Sequence, residues 1–203
     1  SPGEGGNGNG NSSSVTYSAT KEVSESVTEN DGSYSSTNSD ENALLVTGDI
    51  DANFSNIDVT SDASGANGVF CYGGSATTNN SSSDGTTLTI SDSTITTKQD
   101  NSGGIMTTGG GTMIASNLTV NTSGTSSAAI RTDRGGGNVT VNGGTYSTTG
   151  QGSPSIYSTA AVTVSNASLN ASASEGIVIE GKNSVSINNC TLTDSNTKLN
   201  GQY

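Results

Sequence analysis

The sequence predicts an all-β protein, a parallel β-solenoid (β-helix) of about six to seven turns. Three observations predict it. Large apolar residues are too sparse for an ordinary globular core, one short pattern recurs six times, and each copy alternates apolar with small polar residues.

Of 203 residues, 28% are hydrophobic and 4% aromatic. In random order, such a balance would leave the chain disordered, because the apolar surface available for burial could not offset the entropy of ordering. A solenoid escapes that limit. Its core is a narrow column fed by one face of each strand, and a fully buried Val, Ile or Leu contributes about 1.5–3 kcal/mol.

The recurring pattern is "SVSINNCTLTDSN" (184–196), with further copies at "TLTISDSTITT" (87–97), "TMIASNLTVNTS" (112–123), "NVTVNGGTYSTT" (138–149) and "AVTVSNASLNAS" (161–172). "DIDANFSNIDVT" (49–60) is a more divergent copy. Set in register, the first apolar column is Ile50, Leu88, Met113, Val139, Val162 and Val185. The second is Ala52, Ile90, Ala115, Val141, Val164 and Ile187, and the third is Ile57, Ile95, Val120, Tyr146, Leu169 and Leu192. Upstream lies another anchor in each unit: Leu44, Val69, Ile105, Ile130, Ile156 and Ile177. Each unit therefore reads as two or three short strands joined at small-residue corners. The repeat is roughly 21 to 26 residues, stretched once by "GGSATTNNSSSDG" after Tyr72. A β-sandwich would also use short alternating strands, but it would not keep column register over six copies.

Asn117, Asn166 and Asn189 share one slot, held elsewhere by Asp92, Gly143 and Phe54. All but Phe54 tolerate a bent or left-handed backbone. The slot reads as a corner bearing a partial ladder of stacked amides, or as a coincidence in an Asn-rich chain.

The chain divides into three parts. Residues 1–14 are a flexible Gly/Ser/Asn linker, and an opening of "SPGEGGNGNGNSSS" fits a mature form whose targeting segment has been removed. Residues 15–42 alternate weakly at Val15, Tyr17 and Ala19 and are expected to form an irregular first turn and N-terminal cap. Residues 43–203 are the solenoid, whose end at "DSNTKLNGQY" shows no capping element, so truncation or end-to-end association through the last turn is expected. Cys71 and Cys190 fall four turns apart, roughly 19 Å at about 4.8 Å per turn, beyond disulfide reach. Both are read as buried small hydrophobes.

Six Lys and Arg stand against eighteen Asp and Glu, which argues against nucleic acid as a partner. No apolar run approaches the roughly 18 residues of a membrane-spanning helix, so no membrane insertion is expected. There is no His, and the Gly-rich stretches lack the Lys-Ser or Lys-Thr of a phosphate loop. No catalytic residue, metal or cofactor is therefore expected. Candidate ligand contacts are the charged group "IRTDRGGG", with Arg131, Asp133 and Arg134, and the stacked outward positions Met106 and Tyr157. Phe70, Leu45 and Val178 extend that stripe. It reads as a sugar or peptide groove, as a surface covered by the N-terminal segment, or as a row partly buried itself. A further candidate surface is the row Thr89, Ile114, Thr140, Thr163 and Ser186 beside Thr94, Thr119, Thr145, Ser168 and Thr191. Rows of Thr would suit ice binding, and β-propensity alone leaves the same rows on a solvent face.

The turns "NALLVTGDIDANFSNIDVT", "GGIMTTGGGTMIASNLTV", "AAIRTDRGGGNVTVNGGTYSTTG" and "GIVIEGKNSVSINNCTLTDSN" resemble the adhesin-like, right-handed parallel β-helix surface proteins of Firmicutes. More distantly they resemble the pectate-lyase-like superfamily, and the resemblance covers roughly residues 41 to 200. The resemblance implies a right-handed helix that continues past residue 203 and a bacterial protein that is extracellular or anchored at the cell surface. It implies a structural or binding module, with glycan or a host or cell-surface protein as partner. The superfamily's enzymes use Asp clusters with Lys or Arg, or paired Asp with His, and those sets do not occur here. Polysaccharide binding or degradation is the alternative function, and ice binding a more remote one.

Overall fold

The computed structural model describes residues 16–74, 85–133 and 135–196. The 1–14 linker, Val15, most of the 73–85 insertion, Arg134 and the last seven residues lie outside them. Among the described residues there are strands and no helix, stacked as a parallel β-solenoid of seven coils.

Coil 1 comprises β1 (Ser18–Val23), β2 (Val27–Asn30) and β3 (Ser33–Ser36), and coil 2 comprises β4 (Glu41–Thr47), β5 (Asp51–Ser55) and β6 (Asp58–Ser61). Coil 3 follows with β7 (Val69–Tyr72), β8 (Thr87–Ser91) and β9 (Thr94–Thr97). In coils 4 and 5 the second and third strands merge: β10 (Ile105–Thr108) leads to β11 (Gly111–Thr122), and β12 (Ile130–Thr132) to β13 (Gly137–Thr148). Coil 6 is β14 (Ile156–Ser158), β15 (Ala161–Ser165) and β16 (Ser168–Ala171), and coil 7 is β17 (Ile177–Ile179), β18 (Ser184–Asn188) and β19 (Thr191–Asp194).

The first strand of every coil forms one seven-stranded sheet, and the second and third strands form a twelve-stranded sheet joined through β11 and β13. Neighbouring coils pair in parallel, so each coil's backbone groups are satisfied by the coils beside it.

The columns stand as the sequence predicts from coil 3 onward. Leu88, Met113, Val139, Val162 and Val185 pair laterally, as do Ile95, Val120, Tyr146, Leu169 and Leu192. The anchor column from Leu44 to Ile177 is also continuous. These residues make one buried core, which reaches solvent at the last coil, where Ile179, Ile187 and Leu192 are exposed.

Coil 2 requires a correction. Ala52, not Ile50, pairs with Leu88; Phe54 pairs with Ile90, and Val59 pairs with Ile95. The corner residue is Asn56, at φ 53°, and Phe54 is a buried strand residue. A slip of two residues keeps every side chain on its original face, so alternation alone does not fix the register. With Asn56 in place, the corner reads Asp31, Asn56, Asp92, Asn117, Gly143, Asn166 and Asn189, all at positive φ. The amide ladder is present in part: Asn56 donates to Asp31, Asn117 to Asp92, Asn166 to Asn142 and Asn189 to Asn166, at 2.6–2.8 Å.

Residues 18–36, expected to belong to an irregular cap, form β1, β2 and β3 in parallel register with coil 2. Cys71 is buried in the inward row of the first sheet, and Cys190, half-buried, follows the Asn189 corner four coils later. The two thiols thus sit in different columns.

The long corner between the third strand and the next coil is built from buried hydroxyls. Ser61, Thr97 and Thr122 each donate to the carbonyl five residues on, from Ala66, Ser102 and Ser127. Inside these arches, Ser102, Ser127 and Ser153 form a ladder in which each hydroxyl accepts the N–H of the preceding coil, from Ala66, Ser102 and Ser127 in turn. Each hydroxyl also donates to a backbone carbonyl, so these buried polar atoms are satisfied in both directions.

Candidate ligand cleft on the first sheet

Side chains alternate across a strand, so when Val69, Ile105 and Ile130 face the core, Phe70, Met106 and Arg131 face the opposite side of the first sheet. Leu45, Phe70, Met106, Arg131, Tyr157 and Val178 pair laterally in that order, one per coil, as the sequence stripe predicts.

The first half of the stripe is covered. Leu45, Phe70, Tyr72 and Met106 form a second hydrophobic cluster, against which Tyr17 and Ala19 pack. The Tyr17 ring lies 4.7 Å from Phe70 and 4.8 Å from Tyr72, tilted to the first and edge-on to the second. Both arrangements suit the quadrupoles of aromatic rings. Of the readings open in the sequence, covering by the N-terminal segment describes Leu45, Phe70 and Met106, and burial describes Arg131 and Tyr157.

Beside the cover a cleft of about 410 Å³ remains. Thr16, Tyr17 and Ser18 form one wall, Phe70, Met106, Arg131 and Asp133 line the base, and Asp40, Asn42, Ser64, Gly65, Asn67 and Asn101 line the corner side. Its volume falls within the range of small-molecule sites, about 300–1,000 Å³. Of the candidate contacts, Arg131, Asp133 and Met106 come together here. Tyr157 is buried one coil on, paired with Arg131 but outside the cleft lining, and Arg134 lies outside the described residues.

The Arg131 side chain is only 5% exposed, and its guanidinium faces the Asp133 carboxylate at 3.7 Å. Burial pushes the Arg131 pKa down, and the charges of Asp133 and Tyr157 oppose that shift. The pair is thus a neutralised, largely dehydrated unit whose loss of one partner would strand the other. Burial also raises the Tyr17 phenol above its ordinary value, with Tyr72 and Asp133 acting in the same direction.

The corner side is held by amides spanning three coils. Asn42 Oδ1 accepts both the backbone N–H and the side-chain amide of Asn67, and Asn67 Oδ1 accepts the N–H of Gly103 at 2.8 Å. Asn42 in turn donates to Ser18 O, tying the N-terminal strand to the corner. Asp40, Ser64 and Asn101 are exposed at the rim. The sequence reading did not single out these corner residues. Their signal is a second left-handed column, Asp40, Gly65, Asn101, Ser126 and Gly152, all at φ between 50° and 67°.

The Thr rows are present in register, with Thr89, Ile114, Thr140, Thr163 and Ser186 paired in turn. Ile114, 41% exposed, interrupts the hydroxyl surface. Among the described residues no group of three or more His, Cys, Asp or Glu is placed to hold a metal ion, and no helix is long and apolar enough to cross a membrane. Comparisons of the chain with family models, with curated proteins and with solved structures return no match.

Proposed function

We propose that this chain is a non-catalytic binding module of adhesin-like type, extracellular or anchored at a bacterial surface, in which the solenoid acts as a rigid stalk and the cleft on the first sheet receives a glycan or a cell-surface protein. The observation that carries this reading is the cleft itself: about 410 Å³ beside the half-buried ring of Tyr17, with exposed Asp40, Ser64 and Asn101 at its rim. An aromatic wall and a few polar groups that fix orientation are features that small-ligand sites use. Support for a non-catalytic role comes from the absence of His in the sequence and from Arg131, whose charge is engaged by Asp133.

Glycan-array and cell-binding assays with the whole chain test the reading. Ser64→Trp places a bulky ring at the cleft rim from an exposed position, so it should lower binding at least about tenfold while leaving the far-ultraviolet dichroism unchanged. Clean negatives for the unaltered chain in both assays would remove the adhesive function.

A further inference from the structure

We propose, building on the reading of the cleft as a ligand site, that it takes a primary ammonium group, as carried by an amino sugar or a lysine side chain, and rejects carboxylated ligands. Three features point this way. Among the described residues, the cation that lines the cleft is Arg131, which is buried and faces Asp133 at 3.7 Å, so it offers little net positive charge to an incoming anion. Asp40 stands exposed at the rim on the corner side, its Oδ1 close over Gly65, which lines the same cleft. The half-buried ring of Tyr17 lines the same space, and aromatic faces attract cations by about 0.5–1 kcal/mol at exposed sites and more when water is excluded.

The surrounding field has the same sign. Residues 16–62, which form the first two coils, carry ten Asp and Glu against Lys21 alone. A cleft at this end of the solenoid therefore lies in a negative potential that concentrates cations and repels uronates and sialylated chains. The wider chain, at net charge −12, reinforces that bias.

The test is calorimetric titration of the full chain, below the amine's pKa and at low and high salt, with four probes. These are a β-1,4-linked glucosamine tetramer, its fully N-acetylated counterpart, a galacturonate tetramer and trilysine. The glucosamine tetramer or trilysine, whichever is the better source of the ammonium, should bind at least about tenfold more tightly than the acetylated and uronate probes, and less tightly as salt rises. Asp40→Asn keeps a residue that tolerates the φ of 63° at this position, and should reduce the preference for amine over acetylated sugar several-fold. Equal or tighter binding of the acetylated or uronate probe would overturn the ammonium assignment. If Ser64→Trp abolished that binding, the cleft would still stand as a ligand site. Failure of both amine probes to bind would also overturn it.

Discussion

Tyr146→Ala should cost about 3–5 kcal/mol of unfolding free energy, the largest loss expected from any single truncation in this core. Tyr146 is completely buried in the column that runs from Ile95 through Val120 to Leu169. Its hydroxyl donates to Gly143 O at 2.8 Å, so the ring reaches back toward the corner. Gly144 stands there in the position that Leu118 fills one coil earlier. The aromatic ring thus supplies volume that the neighbouring glycine leaves out, and truncation would open a cavity and strip the Gly143 carbonyl of its donor. Denaturant titration followed by circular dichroism reads the loss as a lower midpoint. A loss under about 1 kcal/mol would mean that coil 5 collapses onto the gap, contrary to close packing against coils 4 and 6.

Gly150→Ala should be comparably severe for a different reason. A Cβ at residue 150 would stand 1.7 Å from Gly124 O and 2.4 Å from Gly124 C. Neither atom belongs to a flexible side chain, so the coils must separate or the corner must rebuild. The same contact recurs one coil earlier, where a Cβ on Gly124 would meet Gln99 O at 1.9 Å. Backbone lies on backbone through this part of the stack, and the loss should exceed the usual range of about 0.5–3 kcal/mol for point substitutions. Gly136→Ala is the control: Gly136, unlike Gly150, has a positive φ, 65°, but the nearest atom to the added Cβ is Ala160 Cβ at 4.0 Å. That change should cost only the conformational penalty, about 1–2 kcal/mol. Similar melting temperatures for the two variants would refute the steric account.

Much of the solenoid is legible in the sequence because two signals coincide. Alternation sets which side chains point inward, and recurrence at Leu88, Met113, Val139, Val162 and Val185 sets which of them meet. Coil 2 shows where the signals part. Ile50 and Ala52 both satisfy the alternation, and only the left-handed Asn56 corner decides between them. The hydroxyl arches were not legible, because Ser and Thr are so abundant that Thr97 or Ser127 carries no mark distinguishing it from a solvent-facing neighbour.

The candidate site divides in the same way. Arg131, Asp133 and Met106 were found because charge and apolar character stand out against a polar background, and strand register brings Met106 and Arg131 side by side. Asp40, Asn42, Ser64, Asn67 and Asn101 were not, since they meet only through stacking of coils 25 to 36 residues apart. Tyr17 lies in a weakly patterned segment, and only its packing on Phe70 and Tyr72 reveals it as a wall of the cleft.

The serine ladder and its arches carry a thermal consequence. Unfolding this chain would hydrate buried hydroxyls and corner backbone along with the aliphatic column. Exposure of polar surface lowers the heat capacity of unfolding, whereas exposure of apolar surface raises it. The increment per residue should therefore fall below the usual value of about 12–15 cal/mol/K, giving a shallow stability dome and a fold that changes little in strength between a cold environment and a warm one.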